Sequence, residues 1–372
     1  MREFIEISLV VLIAFASPVF SQKVKIPAVI IEIIAGFMLA LATGFFIRSE
    51  WFSFFSTIGL IFLMFLSGLE IDFTLIIRKF RAYWKVPVYV ILSISLAFLI
   101  SSALNLNIIY GVFLANVSLG IVMPVMKETG ITDTEFGQKV LLATFLTDLI
   151  TISLLSGIAV TFKQSASSFE LFLPVMIVPA FIAAYYLGRF LIWHFPDFMA
   201  RFFDDPMELG VRGSFAIMIL FSGLAYILGS EAILGAFLAG ALISMIFRGA
   251  GKLEESLMGV GYGIFIPFFF IKTGVDIFYR ISEITLFLPL LLLLAGFAVK
   301  IIPSLIFASD LSPGNLFGFG FLQSSKLGLT LAGAEIARDL GIITPGEAVG
   351  IAIWTVLSAL LFPTLFRLVV RS

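Results

Sequence analysis

Cysteine is absent from the 372-residue chain, and histidine occurs once, as His194. Disulfides, thiolate metal sites and cysteine nucleophiles are therefore excluded, and His194 alone cannot build a histidine metal centre. Charge is almost as scarce. Asp, Glu, Lys and Arg make up 13% of the chain, about half the ~25% of a soluble domain. So few polar groups cannot cover a water-facing surface, so the solvent is lipid. A formal net charge of −1 argues against nucleic acid as a partner, because phosphate binding needs a basic patch. No HExxH or GxSxG occurs, and no catalytic pair of aspartates spans two helices. A membrane enzyme is thus the least favoured class, and no cofactor is expected.

What is there is apolar: 60% of residues are Ala, Val, Ile, Leu, Met, Phe, Trp or Tyr. A membrane helix needs about 20 such residues in a row. The sequence predicts thirteen, near 5–21, 26–46, 54–70, 86–104, 108–126, 138–161, 170–192, 212–229, 231–247, 257–277, 284–307, 316–337 and 346–369. The first has no basic lead-in and no small-residue cleavage site, so it reads as a retained helix. The longest loop, around 195–211, is a short charged linker. The chain 1–372 is therefore expected to be a single membrane domain, an all-α polytopic protein.

Basic residues orient it. Fifteen loop lysines and arginines, from Lys23 to Arg371, fall after odd-numbered stretches, against five (Arg2, Arg48, Lys163, Arg280 and Arg338) on the other side. The positive-inside rule then places the C-terminus in the cytoplasm and the N-terminus outside. Lys272, Lys300 and Lys326 remain, all inside apolar stretches.

Three segments recur about 200 residues apart. EIIAGFMLA from Glu32 matches EAILGAFLA from Glu231, SGLEIDF from Ser67 matches TGVDIF from Thr273, and LANVSLG from Leu114 matches LQSSKLG from Leu322. Each match pairs a stretch with the one seven further on, so paired helices run in opposite directions. Two inverted six-helix repeats follow, 1–161 and 212–372, joined by a linker helix over 162–192. Inverted repeats are a signature of secondary transporters, whose sites lie at the midplane on helices that break. Breaks are expected at the polar runs, at Asn116, Ser118, Gly120 and Pro124 in the fifth stretch and at Gln323, Ser324, Ser325 and Gly328 in the twelfth. Alternatively, the small residues only allow close packing.

Charges inside lipid are the functional candidates. Asp148 lies halfway along the sixth stretch, where a charge costs at least about 2.5–3.5 kcal/mol. Lys300 lies deep in the eleventh and would keep its proton if paired with Asp148. Lys272, near a helix end, is expected to snorkel. Lys326 falls in the second expected break. Glu32 and Glu231 read as ordinary stabilisation at helix N-termini.

The runs KIPAVIIEIIAGFMLA, FLMFLSGLEID, MKETGITDTEFGQ before LLATFLTD, GAFLAGALIS, IPFFFIKTGVDI and AGFAVK resemble, in order and spacing, the monovalent cation:proton antiporters of the Kef-type and NapA-type branch. The resemblance covers nearly the whole chain. It implies the NhaA-like antiporter fold with crossed discontinuous helices, a homodimer in a prokaryotic-type inner membrane, and a mobile core moving in an elevator-like way. It also implies an essential aspartate at Asp148, the helix lysine at Lys300, and polar break residues at Asn116 and Ser118. Electrogenic members carry two consecutive aspartates, whereas the first is Thr147 here. Many members have an acid where this chain has Lys326.

The mechanism expected is exclusion at one seat. Lys300 keeps Asp148 ionised until Na+ or K+ arrives, with oxygen ligands from Asp148, Ser118 and broken-helix carbonyls. The cation displaces the lysine, and a proton leaves Asp148 or Lys300 as it enters. With Thr147 unable to titrate, one proton per cation is expected, hence electroneutral exchange. Two other readings stay open: a channel-like or ligand-gated potassium efflux system, although Kef-type channels usually end in a soluble regulatory domain, and a sodium-coupled organic-anion symporter on the same fold, which would need a wide polar cavity.

Overall fold

The protein is represented by a computed structural model, which describes residues 2–24, 28–43, 50–69, 83–132, 134–162, 177–194, 208–228, 232–247, 251–280 and 287–370. Glu231 and the charged linker at 195–207 lie outside the described residues. The described structure is all helical. Single helices, or helices broken in two, occupy each of the thirteen predicted stretches. Among the described residues, eight helical segments are long and apolar enough by themselves to cross a bilayer.

The chain divides into two compact units, 1–73 with 163–279 and 74–162 with 280–372. Each unit therefore takes segments from both halves of the sequence.

The first unit contains α1 (Arg2–Val24), α2 (Ala28–Thr43), α3 (Glu50–Leu69), α8 (Ile177–His194), α9 (Leu209–Ile227), α10 (Ala232–Ile246), α11 (Gly251–Val260) and α12 (Ile266–Arg280). A π-turn at Gly261–Phe265 joins the last two. Its core packs Val10, Leu39, Phe52, Phe268 and Ile271 from α1, α2, α3 and α12. In lipid, close helix contact depends on small residues, because apolar side chains gain little from leaving an apolar solvent. Two crossings show this. A Cβ at Gly36 would lie 2.0 Å from Ile271 O, and one at Gly274 only 1.9 Å from Ile33 O. Equally, a Cβ at Gly240 would lie 1.9 Å from Phe65 O, and one at Gly68 only 2.0 Å from Phe237 O.

On α10, Gly235 instead approaches the backbone of α9, where a Cβ would lie 2.1 Å from Phe221 O. Glu32 departs from expectation. It is the fifth residue of α2 and is buried, so it is not an N-terminal-turn carboxylate. Lys272 is held in an ion pair with Asp276 at 2.7 Å, one turn on.

The second unit contains α4 (Lys85–Ala103), α5 (Ile108–Ala115), α6 (Leu119–Thr129), α7 (Glu135–Phe162), α13 (Phe287–Ser304), α14 (Pro313–Ser324), α15 (Gly328–Asp339) and α16 (Pro345–Val369). Local chemistry starts these helices. Asn107 Oδ1 accepts from Ile109 N at 3.2 Å to cap α5, and Ser312 with Pro313 opens α14. Thr344 and Glu347 form a reciprocal capping box on α16. Glu347 also accepts from Tyr110 Oη at 2.9 Å, which ties the start of α16 to α5.

Candidate functional site

Two of these helices are interrupted in mid-course. Between α5 and α6 the chain leaves the helix at Asn116, Val117 and Ser118. Between α14 and α15 it does so at Ser325, Lys326 and Leu327. The first break is narrower than the sequence suggested. Gly120 and Pro124 lie inside α6, so neither causes the interruption. A proline six residues into a helix removes only one intrahelical bond, and α6 runs through it. Gln323 and Ser324 are the last residues of α14, Ser325 is its C-cap, and Gly328 begins α15.

Backbone groups at membrane depth must find partners within the protein. The two breaks supply each other: Ser118 N donates to Ser325 O at 2.9 Å. Lys326 N donates to Ser358 Oγ of α16 at 3.2 Å, and Ser358 Oγ donates to Thr355 O at 2.8 Å. Ser324 Oγ turns back to Gly320 O at 2.6 Å.

One face of α7 lies along both breaks. Val140, Thr144, Thr147 and Thr151 follow at intervals of four, three and four, so they share a stripe, and all are fully buried. Gln323 Nε2 donates to Val140 O at 3.1 Å and to Thr144 Oγ1 at 2.8 Å. The Thr151 hydroxyl lies 3.2 Å from Asn116 Oδ1 and 2.8 Å from Thr147 O. Asn116 Nδ2 reaches across to Thr330 Oγ1 on α15 at 3.0 Å. Asn116 thus joins the first break, the second broken helix and α7. Thr147 Oγ1 and Gln323 Oε1 are buried and have no hydrogen-bond partner among the described residues.

Asp148 follows Thr147 and is half-buried. It interacts electrostatically with two lysine side chains, Lys300 of α13 and Lys326 of the second break. Both lysines are fully buried. Lys300 Nζ donates to Ala115 O. Lys326 Nζ donates to Asn116 O, and to Leu114 O at 3.1 Å. These three carbonyls end α5. A helix C-terminus carries about half a negative charge, so cations belong there.

The structure thus brings Asn116, Ser118, Thr147, Asp148, Lys300, Gln323, Ser324, Ser325 and Lys326 into one unit around two adjoining breaks. Thr144, Thr151, Thr330 and Ser358 were missed by the sequence reading. The threonines of α7 left a signal, since three hydroxyls at helical spacing on one face of an apolar span are uncommon. Thr330 and Ser358 left none. Glu335 of α15 lies 3.4 Å from Arg338.

A family model described as "Sodium/hydrogen exchanger, transmembrane" matches residues 9–371. YjbQ of Bacillus subtilis (strain 168) is 31% identical over 384 residues, covering 96% of this chain and 62% of its own length. The chain therefore spans less than two thirds of that relative. An Na+/H+ antiporter of Enterococcus hirae is 29% identical, covering 98% of this chain and 97% of its own. Among solved structures, the sodium proton antiporter MjNhaP1 from Methanocaldococcus jannaschii at pH 8 superposes with a TM-score of 0.68 at 17% identity, over 98% of this chain and 100% of that one. That likeness shows the fold, and the family match spans the broken helices and the aspartate between them. The chain belongs to the transmembrane sodium/hydrogen exchanger family.

Proposed function

We propose that this chain is a secondary active transporter that exchanges a monovalent cation, Na+ in the first place or K+, for protons. The observation that carries the reading is the position of Asp148, in electrostatic contact with two buried lysines beside two helix breaks that bond to each other. A carboxylate there is a seat for one small cation or one proton, never both. Lys300 is its stand-in partner while the seat is empty. Ser118, Thr147 and the carbonyls of the breaks are the oxygen groups that complete a coordination shell. This exclusion, with alternating access, gives exchange.

The finer features belong to the same reading. All thirteen helical stretches span the bilayer, the two halves are inverted repeats, and the C-terminus is cytoplasmic. The equivalent glycine crossings, Gly36 with Gly274 and Gly240 with Gly68, support the inversion. The unit that holds the site is the moving part of an elevator-like cycle in a homodimer. With Thr147 in place of a second acid, one proton exchanges per cation. No enzymatic step and no cofactor is involved.

The test is a proteoliposome assay with an internal pH-sensitive dye and Na+, K+ and Li+ added in turn. Saturable, cation-dependent dequenching is the expected result. Its absence with all three cations would remove the proposal. Acceleration under an imposed membrane potential would contradict the one-for-one cycle.

A further inference from the structure

Gln323, next to the last residue of α14, has no exposed surface. Its amide is pinned at the nitrogen, which donates to Val140 O at 3.1 Å and to Thr144 Oγ1 at 2.8 Å. A backbone carbonyl can only accept, so the nitrogen must face Val140 and the amide cannot be turned over. The oxygen, Oε1, therefore has one fixed place. It is buried there and meets no donor among the described residues. A bare amide oxygen out of reach of water loses its hydration and gains nothing in return.

That place adjoins the aspartate. Thr144, which anchors the amide, stands four residues before Asp148 on α7, so their side chains are neighbours on one face. Thr147, between them in sequence, shows the same feature. Other helical threonines turn their hydroxyls back to the carbonyl four residues earlier. Thr129 bonds to Val125 O, Thr151 to Thr147 O and Thr355 to Ile351 O, each at 2.8 Å. Thr147 Oγ1 makes no such bond and is buried without a partner among the described residues. Two neutral oxygens that lack donors thus stand on the stripe of α7 that carries the carboxylate. Hard cations take such oxygens as ligands, glutamine carbonyls included.

We propose that Gln323 Oε1 is a ligand of the transported cation and sets its affinity. The inference rests on the reading of Asp148 as the cation seat. The amide nitrogen holds the second broken helix to α7 and thereby aims the oxygen. Gln323 carries no charge, so it raises affinity for the cation and leaves the proton count alone.

Gln323→Met and Gln323→Glu together test it. Methionine removes both the oxygen and the donors, whereas glutamate keeps an oxygen and gives up the amide donors. In proteoliposomes Gln323→Met should raise the apparent KM for Na+ or K+ about tenfold, the loss of one contact to a charged group. Gln323→Glu should leave KM unchanged or lower it. Thermal unfolding in detergent, titrated with the same cations, should show the same split in the concentration that stabilises each variant. A purely structural glutamine would raise KM in both variants, because both lose the bonds to Val140 O and Thr144 Oγ1, and that result overturns the inference. An unmoved KM in Gln323→Met also overturns it, since Oε1 then serves a resident water or nothing. If Gln323→Met does not assemble, Gln323→Asn replaces it, because the same amide drawn back by one methylene should also raise KM. Failure of both to assemble assigns the residue to folding and overturns the inference. Asp148→Asn keeps the two ideas apart. Exchange that survives in it removes the reading of the carboxylate, whereas a silent Asp148→Asn with an unmoved Gln323→Met removes the glutamine ligand only.

Discussion

Ser118 donates its backbone N–H to the carbonyl of Ser325 across 2.9 Å. That bond joins two helix interruptions far apart in sequence, and it uses no side chain. Ser118→Ala should therefore leave it in place and affect only the apparent KM for the cation. Ser118→Pro removes the donor and leaves Ser325 O short of a partner at membrane depth, a loss of about 1–3 kcal/mol. It should lower the melting temperature in detergent and abolish exchange. Equal melting temperatures for the two variants would count against the bond.

Asp148→Asn should abolish cation-dependent proton movement and leave the protein monodisperse with little change in melting temperature. The substitution is close to isosteric and Asp148 is only half-buried. Dye dequenching with Na+, K+ and Li+ reads the first effect, and size-exclusion chromatography with thermal unfolding reads the second.

Gln323 holds α14 to α7 through Val140 O and Thr144 Oγ1. Gln323→Leu should cost about 1–3 kcal/mol, because Thr144 and Val140 then lose a donor in a site that water does not reach. Thr144→Val should cost less, since the Val140 bond remains. The order of the two melting temperatures is the measurement.

Gly240→Ala and Gly68→Ala should each prevent correct assembly, because the new Cβ would lie 1.9–2.0 Å from a backbone oxygen. Gly223→Ala is the control, as nothing lies within 4 Å of its Cβ position. Yield of monodisperse protein distinguishes them.

Lys85 donates to both carboxylate oxygens of Asp310 at 2.8 Å. This bond and one from Ser309 hold the Asp310 carboxyl below the ordinary carboxylate range. A group lowered in this way stabilises the fold above its unfolded pKa, and the contribution disappears as pH falls through its folded value. Asp310→Asn should therefore lower the melting temperature slightly at neutral pH and in low salt. The difference from the parent should vanish in acid. A difference that grows in acid would reverse the assignment.

The helix positions were legible because an apolar run of about 20 residues has one reading in a chain with so little charge. Asp148 and Lys300 were legible for the same reason, since an ion in lipid stands out. The exact first break was not: Pro124 and Gly120 signal weak helix, yet α6 passes through both. Packing and partner carbonyls decide where a helix opens, and these come from distant residues. Lys326 was visible as a charge without a counterion, and its partner is the end of a helix rather than an acid. No pattern of side chains could reveal that. Thr330 and Ser358 were hidden because a single hydroxyl in an apolar span is ordinary until a backbone group is placed against it.

Lys300 bonds to a carbonyl 185 positions earlier, and Lys326 to carbonyls 212 and 210 earlier. During synthesis at roughly 5–20 residues per second, the first half-helix waits about ten seconds or more for its ammoniums. Until the ribosome has entered the last fifth of the polypeptide, α5 ends in carbonyls without these donors, and the aspartate of α7 lacks both lysines. Stalling the ribosome before codon 300 should therefore yield the chain's most protease-sensitive intermediate.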